Sequence, residues 1–201
     1  MKKMIAGVVV ALTASVSMAD SFTVNANAAD RQITVGGAMV WVSQVTASSG
    51  SGAPGTIVTY VIPFQLPDIA GKPITNVQLN AYIVKGYPYG APQETYVDVY
   101  GGRVASSPAV KSNDCSSATA IGDNIAKISK DAETPNTLKS VELTASFFQD
   151  IYKNDESAAG KYIFLTLRPD VAPASASAAI TWATANDPKT ENRPTLVIST
   201  K

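Results

Sequence analysis

The chain has 201 residues, with 16 Lys and Arg against 16 Asp and Glu, one cysteine and no histidine. Balanced charge without a basic stripe argues against nucleic acid as a partner, and a lone cysteine rules out an internal disulfide. The missing imidazole removes Ser-His-Asp and Cys-His catalysis, histidine general bases and imidazole zinc sites together.

Lys2 and Lys3 precede an uncharged apolar run from Met4 to Val16, and Ser17-Met18-Ala19 places small residues at a cleavage site. These features predict a secretory signal peptide over 1–19, with a second candidate cut after Ala28 or Ala29. The expected product is secreted, extracellular or held at the cell surface. No later apolar run is long enough for a membrane span. Residues 20–34 follow as an N-terminal segment, and residues 35–201 suit one domain with its own core. The stretch DSFTVNANAADRQITV (20–35) could be a first strand, a loose terminus or a donor strand for a second copy.

From there the pattern is mostly period two. AMVWVSQV (38–45) alternates, and TIVTYVIPF (56–64) is β-branched and aromatic. In ITNVQLNAYIV (74–84), Val77, Leu79, Ala81 and Ile83 share one face, with Asn76, Gln78 and Asn80 on the other. TYVDVYG (95–101), KYIFLTLRP (161–169), SAAITWAT (177–184) and PTLVIST (194–200) complete the predicted strands. The stretches 48–55, 66–73 and 85–94 are rich in Gly, Pro or Ser and read as loops. Trp41 and Trp182 lie within strands and read as core. IGDNIAKISKD (121–131) is a strand or a short helical turn. LTASFFQDIYKNDE (143–156) carries Phe147, Phe148, Ile151 and Tyr152 on one helical stripe, with Thr144 as N-cap. The fold expected is all-β, an antiparallel sandwich or barrel with one helix packed on it.

Few residues carry chemistry. Asp68, Asp98, Asp170 and Asp187 could supply a carboxylate pair for glycoside hydrolysis, but no spacing joins two of them. Asp98 is charged in mid-strand. It either faces solvent, or faces inward against a cation such as Arg168 or Arg193, or holds a structural calcium ion with loop carbonyls. No D-x-D-x-D-G loop accompanies it, no other cofactor is expected, and no phosphate-binding loop occurs, GGR (101–103) reading as a turn. Cys115 is a free thiol, either partly buried or able to crosslink two chains. Tyr87 and Tyr89 flank Pro88 in a loop, where they cover the end of the sandwich or form a stacking platform for sugar rings.

The order VIPFQLPDIAGKPITNVQLNAYIV (61–84), YVDVYGGRVASSPAV (96–110), AGKYIFLTLRPD (159–170) and ENRPTLVIST (191–200) resembles the DNRLRE-type modules. These are secreted β-sandwich domains grouped with carbohydrate-binding modules. The resemblance covers about residues 35–200 and implies a jelly-roll-like sandwich closed by the strand 194–200, with Arg193 anchoring the loop before it. The sequence departs from the family's single-domain exported versions at its end, where no sorting tail follows Lys201. The function implied is a non-catalytic extracellular module that binds polysaccharide or cell-surface glycan. The alternative is a structural protein of the surface or matrix that self-associates by strand addition.

Overall fold

The structure, a computed structural model, describes residues 19–35, 39–40, 46–51, 57–85, 97–115, 122–128, 134–168 and 179–201. The leader over 1–18, Trp41 with most of the 38–45 strand, and Tyr87 and Tyr89 lie outside the described residues. In chain order the first strands are β1 (Ser21–Asn25), β2 (Arg31–Val35), β3 (Met39–Val40), β4 (Thr46–Ser51), β5 (Ile57–Gln65) and β6 (Ile74–Lys85). Then come β7 (Val97–Ala105), β8 (Gly122–Ile128), β9 (Thr137–Leu143), the helix α1 (Ala145–Asn154), β10 (Tyr162–Arg168), β11 (Ala179–Ala183) and β12 (Thr195–Thr200).

Among the described residues the fold is an all-β, antiparallel sandwich with one α-helix packed on it. In the first sheet the long strand β6 is central. β9 pairs along one edge of it, β12 and then β11 along the other, and β1 lies outside β12. In the second sheet β10 lies between β5 and β7, with β2 beside β5 and β8 beside β7. β4 pairs with both β11 and the first residues of β5, so it carries the ladder from one sheet to the other.

Alternation explains the core. Val77, Leu79, Ala81 and Ile83 of β6 face inward with Leu196 and Ile198 of β12 and Trp182 of β11. Tyr60, Ile62 and Phe64 of β5 meet them from the second sheet, with Ile163, Leu165 and Leu167 of β10. Burying each such side chain contributes roughly 1.5–3 kcal/mol. The second sheet also carries a smaller core on its back. There Ile33, Val61 and Phe164 pack with Cys115 beneath the 3-10 turn Ser112–Cys115. Arg103 holds that excursion down. Its Nε lies 2.8 Å from Asp114 Oδ1 and its Nη2 3.0 Å from Asp114 Oδ2, with the guanidinium 3.9 Å over the Phe164 ring.

Helix α1 forms where the apolar stripe predicts it, with Phe148 and Ile151 buried in the main core. Thr144 stands at the N-cap position, but its hydroxyl donates to the Ile125 carbonyl at 3.0 Å, so it ties the helix to β8 instead of capping it. Phe147 turns toward β7 and β8, where Gly101 and Gly122 are paired across the ladder. A Cβ at Gly101 would lie 2.1 Å from Phe147 Cζ, and one at Gly122 2.6 Å from its Cδ2. The two glycines therefore form the bed of that ring.

Four expectations change. Thr46–Ser51 is a strand although it is rich in Ser and Gly, because β11 and β5 supply its ladder partners. GGR (101–103) lies within β7, where glycine is needed to admit a ring and not to turn the chain. Residues 21–35 supply two strands of the sandwich itself, so no boundary falls between 34 and 35, and 21–25 pairs with this chain's own β12. β9 was not foreseen, since TLKSVEL mixes Leu, Lys and Glu too evenly to announce a buried face. The 121–131 alternative resolves to a strand.

Candidate functional site

Asp98 is only 1% exposed, so the solvent-facing reading is wrong. Its side of β7 does point away from the main core, but the small core and the 105–115 excursion cover that side. In the ladder Asp98 stands directly opposite Arg168, one of the two cations anticipated for it. Arg168 is itself buried, donates from Nη1 to the Cys115 carbonyl at 2.8 Å and lies 5.6 Å from the Tyr100 ring centroid. A buried carboxylate facing a buried guanidinium is the arrangement that low dielectric demands. Among the described residues no group of three His, Cys, Asp or Glu side chains converges on a point where a metal ion could sit.

Arg193 donates from Nε to the Asp187 carbonyl at 2.8 Å and so spans the turn leading into β12. Cys115 is buried, and its thiol lies 3.0 Å from the Ser112 carbonyl. Burial pushes its pKa up, against the pull of Arg168, which keeps sulfur in the poorly nucleophilic thiol form. A disulfide-exchange reagent is therefore expected to label Cys115 at least about tenfold more slowly in the native protein than in denaturant. Fast labelling of the native protein would overturn this.

A polar group that sequence reasoning missed is Asp30, which is wholly buried. Its Oδ2 accepts from the Tyr60 hydroxyl at 2.5 Å and from the Ala185 backbone N–H at 2.9 Å, while its Oδ1 has no hydrogen-bond partner. Burial raises its pKa, opposed by the Tyr60 and Ala185 hydrogen bonds and by nearby Arg31. This latch ties the loop between β1 and β2 to β5 and to the turn after β11. The alanine-rich stretch before it, ANAA (26–29), gave no sign of it.

A groove of about 430 Å³ runs beside α1, lined by Val104, Phe147 and Ile151 with Asp150, Asn154 and Asp155 at its rim. Its carboxylates are already engaged, Asp150 with Lys153 at 3.8 Å and Asp155 with Lys161 at 2.6 Å. The hydrogen bonds from Lys161 and Ser157 hold the Asp155 carboxyl below its usual range.

Among the described residues, the outer face of the first sheet is an extended polar surface. Because successive side chains alternate, the residues opposite the core on β6 are Asn76, Gln78, Asn80 and Tyr82, all at least partly exposed. The register extends this face sideways. Asn25, Thr195, Asn80 and Ser140 form one row across four strands. Thr23, Val197, Gln78 and Glu142 form the next. Asn80 Nδ2 lies 3.2 Å from Thr195 Oγ1, and Ser140 Oγ donates to Asn80 Oδ1 at 2.7 Å, so the central amide is held in place. Tyr82 ends the β6 line opposite Leu138, which is 54% exposed. Within these two rows Glu142 is the one charged side chain, while the exposed Lys85, paired with Thr181, lies beyond Tyr82 at the end of the β6 line. Alternation in 74–84 already put the three amides on one side, but nothing local assigned β1, β9 and β12 as their neighbours.

No helix among the described residues is long and apolar enough to cross a membrane. No family model and no curated protein matches the sequence.

Proposed function

We propose that this protein is a non-catalytic extracellular module that binds polysaccharide or cell-surface glycan. The observation that carries this reading is the broad, open sheet face of amides and hydroxyls. Such a face offers hydrogen-bond donors and acceptors together, which is what sugar hydroxyls need. The export signal and the resemblance to secreted sandwich modules support it. The titratable groups also fit a non-catalytic role. Asp30 and Cys115 are buried with their pKa values raised, and Asp98 faces Arg168 across a ladder.

The test is retention on a panel of insoluble and soluble polysaccharides, with and without calcium. Retention on one polymer class is expected. Calcium dependence would support the ion-binding reading of Asp98. If nothing is retained, the weight passes to a structural role in which copies associate through sheet edges, since β1 and β8 end the strand order among the described strands.

A further inference from the structure

Resting on that reading, we infer that the ligand is an uncharged, extended polysaccharide chain lying along β6 on the outer face of the first sheet, with Tyr82 as its stacking end. Three observations point there. The first is that, among the described residues, one outer face is covered and the other is not. The back of the second sheet is covered by the chain's own excursion, with Thr166 Oγ1 donating to the Asp114 carbonyl at 3.1 Å and Arg168 to the Cys115 carbonyl. The outer residues of β6, β9 and β12 stay exposed or half-exposed.

The second is chemical. A nucleic acid or an acidic polysaccharide needs clustered cations, and the two central rows present none, Lys85 and Lys201 standing singly at opposite margins of the face. A protein partner of ordinary affinity needs an apolar centre with aromatic anchors, and here Val197 stands alone within the rows while one tyrosine and one leucine sit at the end of the track. Neutral sugars need neutral amides and hydroxyls. Asn80 accepts from Ser140 and donates one amide hydrogen to Thr195, which leaves it one hydrogen and one lone pair for a ligand. An amide fixed by its neighbours also loses less side-chain entropy on binding.

The third is geometric. Asn76, Gln78 and Asn80 repeat about every 6.6–6.8 Å along one strand, on one side of it. Tyr82 follows in the same line and can offer its ring to the C–H face of a sugar. An extended chain can meet all four, whereas a compact ligand reaches two at most.

The experiment uses the full protein in affinity electrophoresis and pull-down, with cellulose, chitin, xylan and mannan as neutral polymers and alginate as the acidic one. The variants are Gln78→Ala with Asn80→Ala, Tyr82→Ala, and Asn76→Arg. The last sits at an exposed position and blocks the track without touching the core, so it stays informative if Tyr82→Ala folds poorly. Binding to a neutral polymer is expected to survive high salt. It should fall about tenfold in the amide double variant and in Tyr82→Ala, the loss of one or two net hydrogen bonds or one stacked ring. Loss of binding in Tyr87→Ala with Tyr89→Ala but in none of the face variants would place the site in that loop and overturn this one. If the parent binds a polymer and all three face variants bind it equally, this site is wrong while the glycan reading stands. If it binds only alginate, and salt abolishes that, the neutral-ligand assignment fails. If it binds no polymer, the glycan reading and this site fail together.

Discussion

Replacing Gly101 by alanine is expected to lower the melting temperature by about 4–8 °C, roughly 2 kcal/mol for a domain of this size. The new methyl carbon would stand 2.1 Å from Phe147 Cζ, where unstrained carbons keep about 3.5–4.0 Å. Either the ring leaves its bed and exposes the paired glycines, or α1 tilts and disturbs Phe148, whose ring packs edge-on against Phe147 at 5.2 Å. Gly122→Ala should act the same way, because its Cβ meets the same ring at 2.6 Å and also Ile125 Cγ2 at 2.8 Å. The discriminating measurement is a double-mutant cycle by urea unfolding. Phe147→Ala costs stability alone, but Gly101→Ala added to it should cost at least about 1 kcal/mol less than in the parent. Additive effects would mean that ring and glycine do not touch.

Asp30→Ala should cost about 3 kcal/mol, since it strips the acceptor from the Tyr60 hydroxyl and the Ala185 N–H, and Asp30 and Tyr60 are both fully buried. Asp30→Asn is the more informative change, because it keeps an acceptor and removes the ionisation. Burial raises the folded pKa of Asp30 above its unfolded value near 3.8. The folded protein therefore holds this proton more tightly than the unfolded chain does. The stabilisation is complete below about pH 3.8, is lost as pH rises through the folded pKa, and levels off above it. Groups such as Asp155, whose depressed pKa gives the opposite slope, are common to both proteins and cancel in the difference. Urea unfolding from pH 3 to 8 should show the parent losing stability relative to Asp30→Asn as pH rises. Parallel curves would show that Asp30 is not the buried, proton-holding group described here.

The amino-acid sequence by itself determined the sheet-forming character of the chain, the apolar stripe of α1 and the inward positions of β6, because periodicity is a local property. It also determined what the protein lacks, since the absence of histidine needs no folding to be read. Only the tertiary structure decided whether a face is covered. Asp98 alternates with Val97 and Val99 as a surface residue would, yet it is buried, because a segment ten residues later folds back over that side. Serine- and glycine-rich 46–51 became a strand because distant strands offered it a ladder. The candidate site shows the same division. Three amides on one side of β6 are legible in 74–84, but Asn25 and Thr195 join them from opposite ends of the chain. Strand neighbours are set by long-range pairing, in which core burial selects the register, and no short stretch of sequence contains that information.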